Sequence, residues 1–310
     1  MRVVAFGGGH GLSASLRALR RVPGLDLTAV VTVADDGGSS GRLRAERGVL
    51  PPGDLRQALA ALAGDDGAAR LFQYRFGGTD PLAGHPVGNL VLCGLMELHA
   101  DPVAALDEAA VMLRVRGRVL PMSRVPLDIE ADVRDEDGKV EPVRGQHAVA
   151  ITRGHVEAVR ITPATPPACT EAVRAVHDAD WLIFGPGSWY TSVIPHLLVP
   201  RLADAIEASP ARRLVTLNLA ADKETASLSL PDHLAALTRY LPGLRADVVL
   251  ADGKAVGDPE PVDLAAESLG ARLVLAPVAV PDGGPRHDPS ALAAALSGIL
   301  TAGRGNDRGT

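Results

Sequence analysis

The stretch VVAFGGGHGLSASL, residues 3–16, decides the fold. Four apolar residues lead into a five-residue turn with four glycines, and Leu12, Leu16 and Leu19 then recur at helical spacing. A run apolar on both faces belongs to a strand buried in a parallel sheet, and the leucine stripe belongs to a helix packed against it. Glycines let a backbone approach a ligand closely, while the free amides and positive dipole end of a helix start favour an anion. Gly8, Gly9, His10 and Gly11 are therefore candidate ligand-binding residues. The turn is not GxGxxG, since the third glycine would fall at Leu12, and it lacks the GK[ST] of a P-loop.

Outward from this unit, similar runs recur at 27–34, 181–185, 213–220, 246–251 and 271–278. Between them lie helical stripes such as Leu55, Leu59 and Leu62, or Val103, Leu106, Ala110 and Leu113. Asp101, Asp232 and Asp288 read as helix caps, two of them directly before a proline. The alternation predicts an α/β fold, Rossmann-like and doubly wound, with a mostly parallel sheet. Residues 125–162 break it: IEADVRDEDGKVEPV holds an Asp137-Gly138 turn, and HAVAI and EAVRIT follow as further extended runs. A small antiparallel excursion is expected there. Residues 1–302 read as one domain and 303–310 as a flexible tail.

Composition narrows the class. Hydrophobic residues are 46% of the 310, enough for a sizeable core, while aromatics are only 3%, so Ala, Leu and Val must pack it. The formal charge is -6 without a dense basic patch, which argues against nucleic acid as a partner. Only Lys139, Lys223 and Lys254 are lysines, a bias we attribute to a GC-rich genome. Cys93 and Cys169 lack zinc spacing and read as buried thiols. With no h-region and no apolar run long enough for a membrane span, a cytoplasmic location is expected.

In a parallel sheet ligands sit beyond the carboxyl ends of strands, so the segments following each run matter most. VTVADDGGSSGRLR, residues 31–44, admits three readings. Gly37 to Gly41 matches the GxSxG turn of a nucleophilic serine, yet two neighbouring carboxylates would oppose an oxyanion. As a metal site, one of Asp35 and Asp36 faces the ligand, and Asp54 supplies a second carboxylate unless it merely caps a helix. As a phosphate or sugar cradle, Gly37, Ser39, Ser40 and the backbone donate, and Arg42 clamps an oxyanion. FGPGSWYTSVIP, 184–195, repeats the strand-turn-helix pattern and adds Gly187 and Ser188. Asn89 and Asn218 sit at a helix start and a strand end.

Together FGGGHGLS, VTVADDGGSSGRLR, LPPGDLRQALAAL, YRF, GHPVGNL, DGKVEPVRGQ, FGPGSWYTSVIPHLL and GGPRHD resemble the CofD-like family, specifically its YvcK branch of gluconeogenesis factors. The resemblance implies a Rossmann-like domain binding a nucleotide or nucleotide sugar, with UDP-N-acetylglucosamine the expected ligand and NAD an alternative. It implies a cytoplasmic role supporting cell shape, cell-wall synthesis and growth on gluconeogenic carbon, with no reaction assigned. A homo-oligomer and regulators of wall synthesis are partners it leaves open. Its transferase relatives use Mg²⁺ to move a phospholactate or phosphoenolpyruvate group from a nucleoside diphosphate adduct to a deazaflavin, and there residues resembling Asp36 and Asp54 hold the metal. Arg286 resembles the arginine of the UDP-sugar binders. Two departures stand out: no tyrosine follows Tyr240, and NLAADKETA keeps only Glu224-Thr225 of the family's usual loop.

Overall fold

A computed structural model describes residues 1–302. The tail expected at 303–310 lies outside the described residues. In chain order the strands are β1 (Arg2–Gly7), β2 (Asp26–Val31), β3 (Arg118–Pro121), β4 (Asp128–Arg134), β5 (Val140–Arg144), β6 (His155–Thr162), β7 (Trp181–Phe184), β8 (Arg212–Thr216), β9 (Val248–Ala251) and β10 (Arg272–Leu275). Seven form one sheet in the order β10-β9-β8-β7-β1-β2-β3, and every pairing in it is parallel. The other three form a separate antiparallel sheet, β5-β4-β6, which is the excursion read from the sequence.

The strand order reverses between β1 and β7. From β1 the chain winds outward through β2 to β3, and from β7 it winds the other way to β10. Such a reversal leaves a crevice at the carboxyl ends of the two central strands. Phe6 of β1 and Phe184 of β7 stack there, ring centroids 4.8 Å apart and both fully buried. His196 meets Phe6 edge-on, and its ring nitrogens lie 3.0 Å from the Val30 carbonyl and 3.3 Å from that of Val193. Burial pushes the His196 pKa down to about 4, so this histidine is a neutral brace of the sheet.

The helices follow the expected stripes. Leu12, Leu16 and Leu19 of α1 (Gly9–Leu19) are buried, as are Leu55, Leu59 and Leu62 of α3 (Pro52–Leu62). Between these come α2 (Gly38–Arg47), and after them α4 (Asp66–Gln73) and α5 (Val87–His99). Asp101 caps Pro102–Met112 by accepting from Val103 N–H, and Asp288 accepts from Ser290 and Ala291 N–H at the head of Pro289–Ala302. No helix among the described residues is long and apolar enough to cross a membrane. Both cysteines are free and buried, and burial pushes the Cys169 thiol up to about 11.

Three expectations need correction. HAVAI is not extended but lies in the short helix Gln146–Ile151, because Gly145 turns the chain at φ +97° and the Asp36 carboxylate accepts from His147 N–H at the new helix start. Asp232 is not the cap of its helix. Leu230–Tyr240 begins earlier, capped by Ser229, with the Asp232 carboxylate accepting from the Ser229 N–H as the far half of a capping box. Finally, β3 was not among the expected strands: RVLP is four residues long, ends in proline and lies on the sheet edge, where a missing donor is tolerated.

Candidate functional site

The two central strands each end in a glycine turn, and these turns touch. A methyl group on Gly11 would lie 2.3 Å from the Pro186 carbonyl oxygen and 2.5 Å from Gly187 Cα. Glycine at position 11 is thus required by backbone-to-backbone packing. Ser15 ties the turns further, donating to the Gly185 carbonyl at 2.9 Å. Asn218, just beyond β8, holds the second turn from the other side: its carbonyl accepts from Gly187 N–H at 2.9 Å and its amide donates to Gly187 O at 3.0 Å. Sequence placed Asn218 at a strand end; its work is to brace Gly187.

Between and above the turns opens a cavity of about 750 Å³. Gly8, Gly9, His10 and Gly11 form one wall, Gly187, Ser188 and Asn218 a second, and Arg286 with His287 a third. The first four are the start of α1, so the amides of its first turn face this space. Arg286 is exposed and held by Asp282 at 2.5 Å, the two charges sitting one helical turn apart in sequence. Two polar atoms of lining residues, Gln146 Oε1 and His287 Nε2, are buried without a hydrogen-bond partner. Burial takes the His287 pKa down to about 4, leaving a neutral ring with hydrogen-bonding capacity to spare.

Lining residues that sequence reasoning missed include Ser13, Arg17, Gln146 and Asp222. The signal for two of them was present: His10, Ser13 or Ala14, and Arg17 recur at i, i+3/i+4 and i+7, the face of α1 opposite its leucines. Gln146 and Asp222 reach the cavity only through the tertiary fold. Asp222 caps the turn Lys223–Thr225 and accepts from Asn218 Nδ2 at 3.1 Å. Its neighbour Glu224 is 1% exposed and accepts from Tyr190 N–H at 2.9 Å. Burial raises that carboxyl to about 7. The two residues kept from the family loop are therefore the ones buried under the second turn.

Asp54 stands at the floor. It is not a helix cap but the third residue of α3, which Pro51 precedes. Thr32 donates its hydroxyl to Asp54 Oδ2 at 2.9 Å. A methyl group on Gly8 would lie 2.4 Å from both of these oxygens, so the first glycine turn rests on this pair. Burial, and then the charge of Asp35, raise the Asp54 pKa to about 6 against the opposing Thr32 hydroxyl, Gly9 amide and Arg56 charge.

The rest of the DDGGSSGR segment lies away from the cavity. Asp36, expected beside Asp54, turns to His147 N–H, while Asp35 is the aspartate whose charge reaches Asp54. Asp35 Oδ1 also accepts from Gly37 N–H at 3.0 Å, closing the turn into α2. Ser40 is buried against Gly53, where a methyl group would meet its Oγ at 2.4 Å and Asp35 Oδ2 at 2.6 Å. Ser39 Oγ lies 2.8 Å from His85 Nδ1 and accepts from Asn89 Nδ2 at 2.9 Å. Asn89 in turn accepts from Arg56 Nε at 2.8 Å, and Arg42 donates to Ala83 O. Ser39 meets a histidine as a nucleophile would, yet it is 5% exposed and its oxygen is already engaged by Asn89.

Residues 3–271 match the family model described as 2-phospho-L-lactate transferase CofD. The chain belongs to the CofD family. A "Putative gluconeogenesis factor" of Mycobacterium tuberculosis is 53% identical over 308 residues, covering 96% of this chain and 90% of that protein. The "Gluconeogenesis factor" of Bacillus subtilis is 38% identical over 259 residues, covering 83% and 80%. A crystal structure of a UPF0052 family protein from Bacillus halodurans superposes with a TM-score of 0.85 at 35% identity, covering 95% of this chain and 99% of that one. This CofD-family chain thus shares its α/β architecture with a solved protein along nearly its full length.

Proposed function

We propose that the chain is a cytoplasmic binder of a nucleotide sugar, UDP-N-acetylglucosamine, acting as a regulator that supports cell shape, wall synthesis and growth on gluconeogenic carbon. The relatives named gluconeogenesis factors support the physiological half of this reading. The observation that carries the ligand half is the cavity at the strand-order reversal, where the first amides of α1 and Arg286 face one space of about 750 Å³. Amides at a helix start and a guanidinium both suit a pyrophosphate. The unpartnered Gln146 Oε1 and His287 Nε2 suit hydroxyls and ring nitrogens of a sugar or base. Calorimetric titration with UDP-N-acetylglucosamine should give saturable binding that Arg286→Ala weakens by about tenfold. Absence of binding at millimolar ligand, or tighter binding of NAD, overturns this choice of ligand.

One observation favours a second reading, the Mg²⁺-dependent transferase chemistry of the family. Asp35 and Asp54 lie close enough for one charge to raise the pKa of the other, a relation that a divalent cation relieves. The carboxylates of Asp35 and Asp54 with the Thr32 hydroxyl are the donors that fit such an ion; Asp36, committed to His147, is not among them. The bound cation would supply charge neutralisation of a phosphoryl oxygen. Product formation from a deazaflavin and an activated phospholactate donor, lost in Asp54→Asn, would replace the regulator reading with this one.

A further inference from the structure

Behind Asp54, outside the cavity, the fold gathers three arginines. Arg56, from α3, is 5% exposed. Its Nε and one terminal nitrogen donate to the neutral side-chain amides of Asn89 and Gln73. Among the described residues none of Arg42, Arg56 and Arg75 has a carboxylate oxygen within ion-pair distance, whereas the half-buried Arg44, Arg124 and Arg212 each do.

Arg42 and Arg75 close the group. Each donates to a carbonyl of the loop 77–86, Arg42 to Ala83 and Arg75 to Gly84. Both charges act on His85 and, together with its burial, hold it below the usual histidine range, opposed only by the exposed Glu46. His85 is thus neutral at pH 7, and its ring stands 2.8 Å from the Ser39 hydroxyl. Three like charges drawn together among neutral acceptors cost free energy unless an anion joins them. The residues come from GRLR, GDLRQ, YRF and GHPVGNL, and of these four segments only Asp54 reaches the cavity.

We propose that Arg42, Arg56 and Arg75 form a second subsite that takes a phosphate group, with Arg56 as the buried anchor and the loop 77–86 as its cover. A planar guanidinium fixed by Asn89 and Gln73 presents its remaining edge in one orientation, which suits two oxygens of a phosphate. None of the three arginines lines the cavity, so a phosphate held there and a ligand in the cavity are bound by separate side chains. It stands independently of which nucleotide the cavity binds.

The test is calorimetric titration of the full chain with inorganic phosphate and, in parallel, with glycerol phosphate. Saturable binding of either one, weakened about tenfold by Arg75→Ala and by Arg56→Gln and unchanged by Arg286→Ala, is the expected result. Arg75 is exposed, so its variant remains informative where Arg56→Gln fails to fold. Binding of neither anion overturns the proposal, as does binding that Arg286→Ala abolishes and Arg75→Ala leaves intact, since the phosphate then sits in the cavity. Titration with UDP-N-acetylglucosamine should be the same for Arg75→Ala and the parent chain. If that sugar nucleotide fails to bind while Arg75→Ala still loses phosphate, the cavity reading falls and the subsite stands.

Discussion

The carboxyl edge of the sheet has an open half and a closed half, and they obey different rules. Beside β1 and β7, backbone does the work: glycines bring two turns together, and the space above them keeps free amides and unpartnered polar atoms. Beside β2, side chains do the work: Ser39, His85, Asn89, Arg56 and Gln73 bond in series. Glycine-rich sequence thus marks two opposite outcomes here. GGGHG opens onto a cavity, whereas DDGGSSG feeds a network of bonded side chains.

Four substitutions should separate the halves. The largest effect is expected under the open half, where Phe6→Ala removes one ring of the buried stack and should cost about 3–5 kcal/mol in chemical denaturation. Because β1 and β7 belong to one contiguous core with the smaller sheet, a single transition is expected for the variant as for the parent, and two transitions would argue against one domain over 1–302. In the closed half, Asn89→Ala strips Arg56 Nε and Ser39 of their partner and should cost about 3 kcal/mol. Nucleotide-sugar binding should persist in the folded fraction, since Asn89 does not line the cavity.

Asp54 links the halves and predicts a pH dependence. Its pKa is raised from 3.8 to about 6 on folding, so the native state binds the proton more tightly and stability falls as pH rises through that window. Asp54→Asn should therefore stabilise the chain by about 3 kcal/mol at pH 8 and by almost nothing below pH 4. Parallel melts at the two pH values check the sign, and a gain that persists in acid would refute the assignment. The smallest effect belongs to Asp282→Ala at the mouth of the cavity. The exposed pair with Arg286 is worth under about 1 kcal/mol of stability, while freeing Arg286 should tighten nucleotide-sugar binding measurably.

Sequence disclosed the open half better than the closed one. Strand, glycine turn and leucine stripe are local features, so β1, α1 and the FGPGS turn could be read directly, and the strand-order rule then told where a ligand belongs. The parallel runs were legible because they are apolar on both faces; β3 was not, because an edge strand of four residues carries too little pattern. HAVAI shows the limit from another direction. Its alternation suits a strand, but a carboxylate 111 positions earlier, on Asp36, caps it as a helix. The same long-range bond removed Asp36 from its expected place beside Asp54. Gln146 and Asp222 lacked any local mark, since they reach the cavity only once the small sheet and the loop after β8 have docked. That docking also explains Tyr240, whose hydroxyl accepts from Val159 N–H at 2.8 Å and so fastens β6 to Leu230–Tyr240.

The touching glycine turns have a consequence for the order of synthesis. Ser15 and Gly185 meet across 170 residues, so one wall of the cavity leaves the ribosome long before its counterpart exists. Until β7 arrives, the first turn faces solvent, and the Phe6 ring has no stacking partner. The closed half, by contrast, draws on segments no farther apart than Ser39 and Asn89, 50 residues, and can assemble early. A nascent chain would then carry its arginine cluster before it carries its cavity, and ligand-dependent protection from a protease should begin only with chains extended past the second turn.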